Sequence, residues 1–237
     1  SVLALPHAIA HPSRAGRAGS LSGTVIGIDP GHNGRNYSDP SFINHLVWNG
    51  REMEACDTTG TATNSGYTEA QFNWNVAAYL TADLTADGAT VVLTRHNNET
   101  VGPCINTRAK ILDRAHANVA IDIHADGGPA RGRGFAILEP VSDSVNSKVV
   151  SASDRFAKVL RSAFESGTGM PLSSYDGVDG LQPRDDLAGL NLTTAPKVLI
   201  ECGNMRNATD AKLLSSSAFQ KRAAAAIAAA MIKFLGR

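Results

Sequence analysis

Two histidines and two glutamates stand at points in this chain where residue type and setting could do chemistry. His32 follows Ile28-Asp29-Pro30-Gly31, His124 follows Val119-Ala120-Ile121-Asp122-Ile123, and Glu201 follows Lys197-Val198-Leu199-Ile200. Each ends a short apolar, β-branched run that reads as a strand. Glu69 lies in Thr68-Glu69-Ala70-Gln71, a capping-box pattern that makes Thr68 an N-cap and Glu69 the first residue of a helix. Two imidazoles and one carboxylate make a hydrolytic zinc set with a position left open for water. A further carboxylate outside that set suits a general base. Residue types alone do not say which glutamate takes which role. Plainer readings also exist: a histidine after a strand is often structural, and a first-turn glutamate favours the helix dipole. A carboxylate closing so apolar a strand as 197–201 is harder to explain without a partner or a task.

These four residues are far apart in the chain, so the fold must assemble them. Pro30 cannot donate to a sheet ladder, so the first strand must stop there, and Gly31 allows a sharp turn. Residues 34–66 are long, polar and without sustained period, and read as a wall or lid beside His32. Apolar spacing predicts a helix from Thr68 to Gly88, a strand over 90–94, a helix ending near Ala117 and a strand over 119–124. The alternation in that strand puts Asp122 and His124 on one face. A fourth strand over 134–138 reads as an edge. A helix to Gly167, an irregular stretch over 170–194, a strand over 197–201, a short helix capped by Asn207 and a last helix to Phe234 complete the chain. The order predicts an α/β fold: one domain, with a twisted mixed sheet of five or six strands flanked by helices on both faces.

Composition bounds the rest. The 237 residues are 43% hydrophobic, with 22 basic and 22 acidic side chains. A sizeable core is expected, and nothing argues for nucleic acid. No run is long enough for a membrane span. Residues 1–22 read as a leader remnant or a disordered tail, with Ala8 and Ala10 in a cleavage-like pattern, and residues 23–237 as the catalytic domain. Three cysteines cannot all pair within the chain. Cys202 sits in an apolar strand and reads as an inert core thiol. Cys56 and Cys104 lie in loop-like segments and are expected to pair if the protein is secreted. With no long exposed apolar stripe evident, a monomer is expected.

Four segments carry a resemblance. Ile28-Asp-Pro-Gly-His-Asn33, Gly66-Tyr-Thr-Glu69, Asp122-Ile-His-Ala-Asp126 and Val198-Leu-Ile-Glu-Cys-Gly-Asn204 resemble the signature segments of the zinc-dependent N-acetylmuramoyl-L-alanine amidases of the amidase-3 family. Arg95, Arg108 and residues 186–191 also fit, and the match runs from about Thr24 to Leu235. The lid-like loop is similar to that of the secreted actinobacterial members. The resemblance implies one zinc ion per chain held by His32, Glu69 and His124, with Glu201 as the catalytic carboxylate. It implies hydrolysis of the amide joining the lactyl group of N-acetylmuramic acid to L-alanine in peptidoglycan, and a secreted, periplasmic or cell-wall location. Asn33 and Cys202 depart from residues common in the family, and neither removes a metal ligand. Asp29 or Asp122 is expected to hold a ligand histidine by its second nitrogen. Arg184, Asn191 and Asn204 are candidate substrate contacts. The same metal set would also serve a zinc peptidase cutting within the stem peptide. A non-catalytic wall-binding module is the remaining alternative.

Overall fold

A computed structural model describes residues 19–237. Of the expected leader remnant or tail over residues 1–22, residues 1–18 lie outside the described part. Leu21, placed in the tail by its sequence surroundings, is instead fully buried in the main core. Its N–H donates to the Asp87 carbonyl at 2.9 Å.

The strands are β1 (Val25–Pro30), β2 (Leu46–Trp48), β3 (Met53–Ala55), β4 (Thr90–Leu93), β5 (Val119–Asp126), β6 (Ala136–Pro140), β7 (Leu181–Arg184) and β8 (Lys197–Asn204). The helices are α1 (Pro40–Ile43), α2 (Glu69–Ala86), α3 (Ile105–Arg114), α4 (Val150–Thr168), α5 (Ala188–Asn191), α6 (Ala208–Leu214) and α7 (Ser217–Phe234). Six strands form one mixed sheet in the order β4-β1-β5-β8-β6-β7. The strands from β4 to β8 run parallel, β6 is antiparallel to β8, and β7 is parallel to β6. The strand expected at an edge is therefore interior. The edge on that side is β7, where Pro183 lacks the N–H that an inner strand would need, and β4 forms the other edge.

Register separates chemistry from core. Asp29 of β1 sits beside Asp122 of β5, and His124 of β5 beside Glu201 of β8. With a side-chain period of two, these residues share one face. The alternate positions, among them Ile28, Ile121, Ile123, Val198 and Ile200, pack against apolar residues of α2, α4 and α7 in the main core. That core face rigidly fixes the strand ends on which the polar face depends. The other face carries α5 over a small cluster of Ala136, Leu138, Leu190 and Leu199.

Local signals explain the ends of the elements. Thr68 accepts the Gln71 N–H at 3.3 Å, as an N-cap should. The reciprocal half of the capping box is absent, because the Gln71 side chain instead pairs with Asn75 and Asn98. Asn207 caps α6 through the N–H groups of Thr209 and Asp210. The segment 34–66, read from sequence as irregular, contains a 3-10 turn, α1 and the β2–β3 hairpin. Cys56 and Cys104 are disulfide-bonded. Val47 packs against both, so the bridge ties the hairpin to the start of α3. Cys202 is a buried free thiol.

Candidate active site

The turn after β1 places the first histidine. The left-handed residue there is His32 (φ 57°), not Gly31. Such a conformation is costly for a residue with a Cβ and persists only where its surroundings impose it. Gly31 is needed for space: a Cβ there would come within 2.1 Å of the His124 ring. Two buried arginines clamp the turn. Arg95 donates to the carbonyls of Pro30 at 2.8 Å, Gly31 at 3.3 Å and Ala70 at 2.9 Å, joining the turn to the start of α2. Arg108 donates to the carbonyls of Pro30 at 2.8 Å and His32 at 2.7 Å. Asn33 is also buried, and its amide donates to Thr100 Oγ1 and the Gly102 carbonyl, both at 2.9 Å. This departure from the family pattern thus serves to pin the neighbouring loop.

Glu69 reaches from the α2 N-terminus between the two imidazoles. Its Oε1 lies 2.7 Å from His124 Nδ1, and its Oε2 lies 3.3 Å from His32 Nε2. The other ring nitrogens face carboxylates as well. His32 Nδ1 is 3.3 Å from Asp57 Oδ1. His124 Nε2 is 3.2 Å from Asp122 Oδ1, an ion-pair contact without hydrogen-bond alignment. An ionised carboxylate only accepts, so with both nitrogens facing carboxylates each ring is favoured as imidazolium. Burial opposes that charge, but Glu69 and Asp57 raise the His32 pKa to about 9. Against the same burial, Asp122 and Glu69 raise His124 well above its ordinary value. Glu69 is correspondingly held low by the two histidines in spite of burial.

These contacts close into a ring. From Asp57, Oδ2 meets Arg108 Nη2 at 3.2 Å, and Arg108 Nη1 meets Asp29 Oδ1 at 3.0 Å. Asp29 Oδ2 accepts from Lys197 Nζ at 2.8 Å, and Lys197 Nζ lies 3.7 Å from Asp122 Oδ2. Both histidines are thus backed by carboxylates that share one buried Asp29–Arg108–Lys197 centre. Burial would raise the Asp29 pKa, but Lys197 and Arg108 hold it far below the carboxylate range. Burial would lower Lys197, but Asp29 and Asp122 keep it raised.

Glu201 faces the same cleft beside His124, with its Oε2 buried and without a hydrogen-bond partner. Burial pushes its pKa up to about 8, with Glu69 and Asp126 adding repulsion against the pull of His124. The cleft has a volume of about 510 Å³. Its polar half carries His32, Glu69, His124 and Glu201, and Leu138, Leu187 and Leu199 line an apolar half.

The structure sorts the remaining expectations. Of the two aspartates expected to hold a ligand histidine, Asp122 is the one that faces a histidine ring, with Oδ1 3.2 Å from His124 Nε2. Asp29 touches neither histidine, because Arg108, Lys197 and Thr94 take its oxygens; the partner of His32 is Asp57, which the sequence reading missed. Arg184 lines the cleft and pairs with Asp186 through two hydrogen bonds of 2.7 and 2.6 Å. Asn191 and Asn204 are fully buried and offer substrate no surface. The Asn191 amide donates to the carbonyls of Asn49 and Asp185. That of Asn204 donates to those of Pro129 and Gly132. Both are loop braces. His45 lies near Cys56 and Cys104 in a second cluster of ligand-type atoms, but a disulfide leaves no thiolate to bind a metal.

Known proteins are similar to this chain over most of its length. The family model described as N-acetylmuramoyl-L-alanine amidase (Amidase_3) matches residues 26–233. The N-acetylmuramoyl-L-alanine amidase Rv3717 of Mycobacterium tuberculosis is 39% identical over 217 residues, spanning 91% of this chain and 88% of the relative. Among solved structures, the N-acetylmuramyl-L-alanine amidase Ami1 of Mycobacterium smegmatis superposes with a TM-score of 0.86 at 39% identity, covering 91% of this chain and 98% of that one. Ami1 of Mycobacterium abscessus gives 0.86 at 38% identity, covering 91% and 100%. With a family model spanning nearly all the described residues and relatives matched over most of both lengths, the chain belongs to the N-acetylmuramoyl-L-alanine amidases, hydrolases of peptidoglycan.

Proposed function

We propose that His32 Nε2, His124 Nδ1 and one or both oxygens of Glu69 hold a single zinc ion, and that Glu201 is the general base for cleavage of the lactyl–L-alanine amide. The observation that carries this reading is Glu69 set between two imidazoles whose far nitrogens are each backed by a carboxylate, the arrangement that orients metal-binding histidines. The residues fit the ion in two further ways. A Cβ at Gly60 would come within 2.7 Å of Glu69 Oε2 and of the His32 ring, so the chain keeps this point clear. The metal-free site favours two imidazolium charges, which a dication would replace.

Zinc held by His32, Glu69 and His124 would supply Lewis acidity, the chemistry that polarises a carbonyl and lowers the pKa of water toward about 7. The protein does the rest. Asp57 and Asp122 fix the two ring orientations. Glu201 takes a proton from the attacking water and delivers it to the leaving amine of alanine. Its unpartnered Oε2 leaves it an acceptor free for that work. The apolar half of the cleft, lined by Leu138, Leu187 and Leu199, limits water around the reacting groups. Arg184 at the cleft wall is placed to meet a carboxylate of the stem peptide if it exchanges Asp186 for substrate. The Cys56–Cys104 bridge suits an oxidising compartment, and peptidoglycan lies outside the cytoplasm, so the protein acts there as a secreted enzyme. No helix among the described residues is long and apolar enough to cross a membrane.

Mass analysis of a digested muropeptide tests the reaction. The expected products are a disaccharide with a free lactyl carboxylate and intact stem peptides starting at L-alanine. Cuts inside the stem peptide would replace this reading with the peptidase one.

Two further outcomes follow from the site's charges. Zinc uptake at pH 7 should release at least two protons, because both imidazoles carry raised pKa values in the metal-free protein. Calorimetry in buffers of different ionisation enthalpy reads that number, and release of none would count against histidine ligation. In chelated protein, groups with raised folded-state pKa values add stability at low pH and lose it as pH rises through those values. Glu201 changes between the ordinary glutamate value of 4.5 and about 8. His32 changes between 6.5 and about 9. Stability should therefore fall most steeply between about pH 6.5 and 8, as followed by urea midpoints; a midpoint that rises over this range would contradict the assignment.

Asp57→Ala should weaken zinc binding by about 10- to 100-fold, the usual cost of losing a carboxylate behind a ligand histidine. Competition with a chromophoric chelator measures this, and unchanged affinity would remove Asp57 from the site.

A further inference from the structure

The β2–β3 hairpin presents an apolar face that the amidase chemistry leaves unexplained. Its register pairs Leu46 with Ala55 and Trp48 with Met53, so these four side chains share one face. Leu46 is 61% exposed, Trp48 50% and Met53 53%. Isolated exposed apolar residues are ordinary, but a contiguous set on one rigid element marks an interaction surface. The hairpin is held at both ends. Val47, on the opposite face, packs on the Cys56–Cys104 bridge. At the turn, the Asn191 amide donates to the Asn49 carbonyl at 3.1 Å, and Arg51 donates to the Ser142 carbonyl at 3.1 Å. The exposed face is therefore built and anchored.

Its position selects the occupant. Ala55, the cross-strand partner of Leu46, also lines the cleft, as does Glu54 of the opposite face, so the hairpin forms one lip of the site proposed to receive the muramoyl residue. The glycan strand must leave that site across one of its lips. A pyranose ring presents a face of C–H groups that stacks on an indole ring, and an N-acetyl methyl packs on thioether or aliphatic side chains. The patch bears no charge, and neither does a strand of N-acetylated sugars whose lactyl groups are amidated. We infer that Leu46, Trp48 and Met53 form a saccharide platform holding the glycan residues next to the muramoyl unit being cut. This rests on the amidase reading, and it makes the preferred substrate a glycan strand of several sugars rather than an isolated muramoyl peptide.

The test is calorimetric titration of the full chain with soluble N-acetylglucosamine oligomers, uncharged N-acetylated sugars without stem peptides, which asks about binding without asking about cleavage. The wild-type protein should bind them. Trp48→Ala should weaken binding about tenfold. Trp48→Phe should restore it to within about threefold, because a ring is retained. Trp48→Leu should resemble Trp48→Ala. No binding by the wild type, or equal binding by Trp48→Ala or Trp48→Leu, would overturn the inference. So would a concentration-dependent dimer in sedimentation velocity that Trp48→Ala abolishes, since the face would then serve a second copy. Thermal denaturation confirms that each variant is folded. The amidase reading stands or falls separately, on the products of muropeptide digestion.

Discussion

Glu201→Gln is expected to lower the rate of lactyl–alanine cleavage by about 10²- to 10⁴-fold while zinc content stays that of the wild type. Glutamine keeps the shape and one oxygen but cannot take a proton. The half-buried carboxylate, with Oε2 unpartnered and a pKa pushed up to about 8 by burial and by Glu69 and Asp126, is poised to exchange a proton near neutrality. Its neighbour across the β5–β8 ladder is His124, so the exchange takes place beside the proposed metal ligand. Steady-state kinetics on a purified muramyl peptide, paired with metal analysis of the same sample, gives the result. A variant within a few-fold of the wild-type rate would remove Glu201 from the role of base. Loss of zinc along with activity would make it a ligand instead.

Lys197→Met should destabilise the protein by about 3–5 kcal/mol, the range for removing one partner of a buried ion pair. Lys197 is 1% exposed, and its ammonium lies 2.8 Å from Asp29 and 3.7 Å from Asp122. Without it, Asp29 keeps only Arg108 as a counter-charge, and Asp122 loses the cation facing its Oδ2. The harm should therefore extend beyond stability. Asp122 backs His124, so zinc affinity should fall as well, by up to the 10- to 100-fold typical of disturbed supporting carboxylates. Denaturant unfolding of the chelated protein separates the stability effect from the metal effect. A stability loss below about 1 kcal/mol, the range of a surface pair, would mean that the buried ring does not depend on this lysine.

What could be read from the sequence follows from which signals are local. The strands bearing His32, His124 and Glu201 were legible because β-branched runs and a halting proline or glycine mark them within a few residues. The α2 N-cap was legible for the same reason, and with it the position of Glu69. The partners of these residues were not. Asp57 lies in a polar segment with no period. Its role depends on the disulfide beside it and on Arg108, both placed by tertiary structure. Asp29 and Lys197 meet across 168 residues of chain. The one available clue was Lys197 itself, a charge opening an apolar strand, which burial would forbid without a carboxylate. The edge strand β7 escaped notice because Leu181-Gln182-Pro183-Arg184 has neither alternation nor β-branching. Asn191 and Asn204 misled because a polar side chain near a site reads the same whether it faces substrate or braces a loop.

The most direct test of the account follows peptide release from a purified muramyl peptide as zinc is removed and restored, with metal content assayed in each sample. The account predicts one zinc per chain in the active protein, loss of L-alanine-terminated peptides from the products after chelation, and their return on adding zinc. His32→Ala or His124→Ala should fail to recover under the same treatment. Full release of those peptides by metal-free protein would contradict the proposed centre of His32, Glu69 and His124.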